Sequence, residues 1–121
     1  MVIDDEYDVR YVICEILINS GFTVETLETN EFLEDKLTAS TFDLVITDLI
    51  MPGKRNAEIV LDIRNINPDI PILAISGGGR IDLNDNLQQA IKNGANDTLS
   101  KPFQFSELLD KVTLMIEKEM Y

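Results

Sequence analysis

The sequence predicts an α/β domain built on a five-stranded parallel sheet with helices on both faces. Two observations carry this. Apolar, strand-like runs alternate with helix-period segments five times over, a pattern that calls for a parallel sheet covered on both sides. No internal repeat, low-complexity tract or linker breaks the alternation, and 121 residues fit one domain, 1–121.

The elements follow in order. Val2-Ile3 is a short apolar start. Residues 7–20 place Val9, Val12, Ile13, Ile16 and Leu17 on one helical face, and Gly21 is the helix stop. Residues 22–27 alternate as a strand, and residues 30–38 read as a helix with Phe32, Leu33 and Leu37. Residues 43–48 form a buried strand that ends in an acid. The next helix, 55–66, turns Ile59, Val60 and Ile63 inward and stops at Asn67-Pro68. Residues 71–75 are the fourth strand, followed by Ser76 and three glycines. A helix carrying Leu83, Leu87, Ala90 and Ile91 stops near Asn93-Gly94, and residues 97–99 are a short fifth strand. The last helix, about 104–119, spaces Phe105, Leu108, Leu109, Val112, Met115 and Ile116 on one face.

Composition excludes several kinds of chemistry. Ten basic against 22 acidic residues give a net charge of −12, which argues against direct contact with nucleic acid or anionic membranes. Without histidine there is no Ser-His-Asp or Cys-His nucleophile, no histidine metal site and no phosphohistidine carrier. One cysteine, Cys14, makes neither an internal disulfide nor a zinc site. Acid follows the first three residues where a signal peptide would be basic. The longest apolar run, Ile70 to Ile75, is far short of the ~20 residues of a membrane span. The expectation is a soluble cytoplasmic protein.

In open parallel sheets the chemistry sits beyond the carboxyl ends of the strands, where the strand order reverses. The first strand delivers Asp4 and Asp5 there, the third Asp48, the fourth Ser76 and the fifth Lys101 beside Pro102. The second ends in Thr26-Leu27, with nothing obviously chemical. In the order 2-1-3-4-5 it is an edge, and the other four ends lie side by side. Three converging carboxylates repel unless something neutralises them. A hard divalent cation such as Mg²⁺, which takes oxygen ligands and keeps waters, answers that need, with Lys101 as a second positive charge. A carboxylate nucleophile, a metal, a lysine and a hydroxyl together describe a phosphoryl site. Asp4 and Asp5 could instead simply cap the first helix. Taken alone that is the better reading; beside Asp48 and Lys101 it becomes the lesser one.

Four segments carry a resemblance at this point. Val2-Ile3-Asp4-Asp5-Glu6, the run Leu44 to Gly53, Ile75-Ser76-Gly77, and Gly94 to Asp97 with Ser100-Lys101-Pro102-Phe103 resemble, in order and spacing, the receiver domain of two-component response regulators. The resemblance spans essentially the whole chain and implies a doubly wound, flavodoxin-like fold. It implies that Asp48 accepts the phosphoryl group and that Asp4, Asp5 and Asp48, with the backbone carbonyl of Ile50, bind Mg²⁺ or Mn²⁺. Ser76 would then be the hydroxyl residue that reports phosphorylation, and Lys101 the lysine that binds the phosphoryl group. Pro102 would follow Lys101 in a cis bond that aims the lysine inward. The implied partner is a sensor histidine kinase. The face of helix 4, strand 5 and helix 5 is the expected output or homodimer surface.

The chain departs from the family pattern in places. Thr98 stands where many members have an aromatic residue, so the signal needs another path to the surface. Gly77-Gly78-Gly79-Arg80 replaces a small residue and polar loop, and Arg55-Asn56 replaces an Asp-Gly pair. Apolar Ile50 would hinder an attacking water and predicts slow-to-moderate self-hydrolysis. Only Met1-Val2-Ile3 precede the acidic pair, fewer apolar residues than members usually have, and no output segment follows residue 119. Both a single-domain regulator and a receiver excised from a larger protein fit.

The leading reading is therefore a signalling switch, not an enzyme with turnover. A receiver-like interaction module that is never phosphorylated is the alternative, and Thr98 leaves room for it. A Mg²⁺-dependent aspartyl-phosphate phosphatase fits less well, because Ile50 stands where such enzymes commonly place a second acid.

Overall fold

Five two- to five-residue strands and five helices alternate along the chain in the computed structural model, which describes residues 1–29, 31–49, 57–76 and 83–120. They are β1 (Val2–Ile3), α1 (Tyr7–Asn19), β2 (Thr26–Leu27), α2 (Leu33–Ala39), β3 (Val45–Asp48), α3 (Glu58–Ile66), β4 (Ile72–Ser76), α4 (Leu83–Asn93), β5 (Asp97–Ser100) and α5 (Phe105–Met120). The sheet order is β2-β1-β3-β4-β5 and every pairing is parallel. The order reverses between β1 and β3, where Val2 pairs with Ile46 and Ile3 with Thr47.

Alternate side chains of the strands point to opposite faces, and each face has its own core. Val2, Ile46, Leu73 and Ile75 pack with Ile13, Ile16 and Leu17 of α1 and with Leu108, Val112 and Met115 of α5. Ile3, Val45, Ile72 and Ala74 pack with Leu33 and Leu37 of α2, Ile59, Val60 and Ile63 of α3 and Ala90 of α4. β3 and β4 are buried along their whole length, which explains their near-continuous apolar sequences.

The helix stop at Gly21 is as expected. Gly21 sits at φ 97°, its N–H donates to Ile18 O, and the Phe22 N–H donates to Leu17 O, the paired closure a left-handed residue permits. Other expectations shift. β2 is only Thr26–Leu27, because Phe22 and Val24 pack half-buried against the α1–α5 core without joining the ladder. The third helix begins at Glu58, not at 55. Val12, Ile91 and Phe105 are exposed rather than core, because each lies at the margin of its helical stripe, beyond the reach of the sheet.

The carboxyl end of α4 is tied to α3. Asn93 Nδ2 donates to Ala57 O at 2.9 Å. The Arg64 guanidinium donates twice to Gly94 O (3.0 and 2.8 Å), to Asn96 Oδ1 and to the carbonyls of Pro68 and Ile70.

Candidate functional site

The carboxyl ends of β1, β3, β4 and the segment after β5 meet at the point where the strand order reverses. β1 runs directly into Asp4, which is 1 % exposed and fixed through four atoms. Its N–H donates to Leu27 O of β2 at 3.1 Å. Its Oδ1 accepts from the Glu6 N–H at 2.9 Å, a turn bond ahead of α1; the helix is capped at Glu6 without a side-chain bond, so Asp4 does not cap it. Its Oδ2 accepts from Lys101 Nζ at 3.2 Å. Its carbonyl accepts from Arg10 Nη1 at 2.8 Å. Asp5, one residue on, is exposed.

Asp48 closes β3 and is 6 % exposed. Its Oδ2 lies 3.5 Å from Lys101 Nζ. Oxygens of Asp4, Asp5 and Asp48 all fall within 4.8 Å of one another, the one cluster of this kind among the described residues. Three carboxylates on all-oxygen chemistry suit a hard divalent cation, and the exposed Asp5 leaves a wet side on which Mg²⁺ would keep its waters. These residues therefore fit a Mg²⁺ site.

Lys101 follows β5, and its peptide bond to Pro102 is cis, as the resemblance implied. Its N–H donates to Ser76 O at 2.8 Å, which docks the segment on the end of β4. Burial alone would lower the Lys101 pKa; the Asp48 and Asp4 carboxylates outweigh it and hold the ammonium above its ordinary value. A raised lysine pKa contributes stability that is lost only as pH rises through the raised value, so the pairs stay intact across neutral pH. Ser76, at the end of β4, is fully buried. Its Oγ has no hydrogen-bond partner among the described residues.

The structure thus gathers Asp4, Asp5, Asp48 and Lys101, with Ser76 held next to Lys101 through the main chain. Ile50, Gly77-Gly78-Gly79 and Arg80 lie outside the described residues. Thr98 is half-buried on β5. Cys14 is half-buried, and burial pushes its thiol pKa up, away from a reactive thiolate.

One residue at the site went unnoticed in the sequence. Arg10 is 8 % exposed. Besides Asp4 O it donates through Nη2 to Glu28 Oε1 at 3.3 Å, and its guanidinium lies 5.5 Å from the Tyr7 ring centroid. The signal was available: Arg10, Ile13 and Leu17 fall at i, i+3 and i+7, so a charge occupies the inward stripe of α1.

Comparison with known proteins decides the family. The description "Response regulator receiver domain" matches residues 1–113. The chain belongs to that family. This receiver is 32 % identical, over 117 residues, to the C4-dicarboxylate transport transcriptional regulatory protein DctD of Rhizobium meliloti; the match covers 97 % of this chain and 25 % of DctD. It is 29 % identical to the swarming motility regulation protein RssB of Serratia marcescens, covering 93 % of this chain and 50 % of RssB. The receiver therefore spans a quarter to a half of the length of these relatives. Among solved structures, the receiver domain of NtrX from Brucella abortus superposes with a TM-score of 0.86 at 27 % identity, covering 96 % of each chain. A response regulator receiver domain protein from Clostridium thermocellum gives 0.86 at 29 % identity, covering 98 % of this chain and 94 % of that one. No helix among the described residues is long and apolar enough to cross a membrane.

Proposed function

We propose that this receiver is a phosphorylatable switch that takes a phosphoryl group onto Asp48 from the phosphohistidine of a sensor kinase. The observation that carries the reading is the set of donors around Asp48. Lys101 Nζ stands 3.5 Å from its carboxylate, and Ser76 Oγ is buried with no partner among the described residues. A buried hydroxyl without a partner costs about 1–3 kcal/mol, and an oxyanion arriving at Asp48 would supply one.

In the transfer a carboxylate oxygen of Asp48 attacks phosphorus, the P–N bond to the kinase imidazole breaks, and the imidazole keeps that electron pair and takes up a proton. Lys101 pairs with one phosphoryl oxygen and Ser76 donates to another. Asp4, Asp5 and Asp48, with the Ile50 carbonyl, would hold Mg²⁺ or Mn²⁺, which supplies charge neutralisation for the remaining oxygen. The group stays on the protein, so the chemistry is confined to self-phosphorylation and self-dephosphorylation. The output is a change at the α4–β5–α5 face, which offers a protein surface to a partner or a second copy. The exposed Ile91 of α4 and the Lys111–Asp97 ion pair, 3.1 Å, support a contact surface there. The charge of −12 supports a protein rather than nucleic acid as its partner.

Intact-mass spectrometry after incubation with acetyl phosphate tests the reading. One phosphoryl group is expected with Mg²⁺ and none with EDTA; no adduct in the folded protein at saturating Mg²⁺ counts against a switch and for an unphosphorylated interaction module. Ser76→Ala separates the donor role from packing. It is expected to leave the metal-free protein equally stable or about 1 kcal/mol more stable by urea denaturation, while slowing phosphorylation about 10²-fold. An unchanged rate removes Ser76 from the site.

A further inference from the structure

Among the described residues, Arg10 is the buried charged side chain that the phosphoryl chemistry does not use. Packing alone calls for an apolar side chain at this point of α1, on the inward stripe it shares with Ile13 and Leu17. Burying a guanidinium is unfavourable unless its donors are satisfied. Its shortest contact is with the site itself: Nη1 to the carbonyl of Asp4, 2.8 Å. The other fork reaches Glu28, just past the end of β2, at 3.3 Å. Tyr7, one turn earlier, lies against the guanidinium, 5.5 Å from ring centroid to Cζ.

We infer that Arg10 is a positioning residue for the metal site, acting through the main chain of Asp4. Asp4 follows a strand of only two residues, so the ladder does little to fix it. The Leu27 carbonyl holds its N–H from one side and Arg10 holds its carbonyl from another. Between them they hold the peptide units on either side of the Asp4 Cα, and with them the direction of a carboxylate that must face both Lys101 and the cation. Glu28, three-quarters exposed on its side chain, braces the guanidinium. It also gives the outer strand β2 a link to the site. Groups that orient metal ligands from behind commonly change metal affinity by about 10–100-fold when removed.

The inference rests on the reading of Asp4, Asp5 and Asp48 as a Mg²⁺ site, and the experiment keeps the two apart. Mg²⁺ affinity by isothermal titration calorimetry, urea denaturation of the metal-free protein, and the acetyl phosphate rate are measured on the wild type, Arg10→Met and Arg10→Lys. Arg10→Met is expected to bind Mg²⁺ about tenfold more weakly. Arg10→Lys, which keeps the charge and loses the fork, is expected to fall between the two. Phosphorylation at saturating Mg²⁺ should change less than the affinity does. Equal or tighter binding by a folded Arg10→Met overturns the inference, since removing a nearby positive charge without a positioning effect strengthens attraction for a cation. If Arg10→Met does not fold, wild-type affinity in Arg10→Lys overturns it instead. A wild type that binds no Mg²⁺ and takes no phosphoryl group fails the site reading first, and the Arg10 inference falls with it.

Discussion

Asp48→Asn is expected to take up no phosphoryl group from acetyl phosphate and Mg²⁺ under conditions that modify the wild type completely. The side chains are nearly isosteric and Asp48 is 6 % exposed, so the fold has no reason to change. What changes is the nucleophile: an amide oxygen bears no full charge and leaves no stable acyl phosphate behind. The substitution also removes one of three crowded carboxylates, which relieves repulsion in the metal-free protein. Stability without Mg²⁺ should therefore hold or rise while Mg²⁺ binding weakens. Intact-mass spectrometry with urea denaturation checks both. An adduct of wild-type yield on the variant would move the acceptor to Asp4 or Asp5.

Lys101→Met is the second large effect, and it is expected in stability as much as in chemistry. Lys101 Nζ is shared between Asp4 at 3.2 Å and Asp48 at 3.5 Å, and its side chain is only 15 % exposed. Removing one partner of a buried ion pair leaves the others uncompensated and costs about 3–5 kcal/mol; the remaining exposure places this site near 3. The loss should depend on metal. Mg²⁺ and the ammonium neutralise the same carboxylates, so the variant gains more from Mg²⁺ than the wild type does. At a Mg²⁺ concentration well above both dissociation constants the gap closes by RT ln of their ratio, so a site tenfold tighter in the variant recovers about 1.4 kcal/mol. Urea denaturation of both proteins in EDTA and in saturating Mg²⁺ should show the gap narrowing. A gap that is equal in both conditions would mean that lysine and cation act on different groups. Phosphorylation of the variant should remain slow even with its stability restored, because Lys101 is also the proposed phosphoryl partner.

Most of the site was legible because its parts are side-chain chemistry placed at strand ends. Asp48 after Val45-Ile46 and Lys101 before Pro102 stand out in any reading of the chain. β3 and β4 were equally plain, since burial on both faces leaves little room for polar residues. Arg10 was not seen because its main contact is a peptide carbonyl, a group every residue carries. Glu28 was missed with it: an exposed acid just past a strand gains meaning only once its partner is known. The short β2 was over-read for a related reason. Phe22 and Val24 alternate as strand residues do, yet what they bury is a helical interface, and periodicity does not name the surface that is covered. Val12, Ile91 and Phe105 show the same limit on helices.

The ties between α3 and α4 fix a fulcrum. Asn93 is bonded to Ala57, and Gly94 is held twice by Arg64; a β-carbon at Gly94 would stand 2.9 Å from the Arg64 side chain, so that end is closed to adjustment as well as bonded. Any reorientation of α4 is then a swing about its last residues, and the helix works as a lever. Its 11 residues make an arm of about 16 Å, so a tilt of roughly 10° carries the opposite end about 3 Å while Asn93 hardly moves. Displacement is smallest at the α4–β5 turn and greatest at Leu83, the end of the helix that follows β4 in the chain.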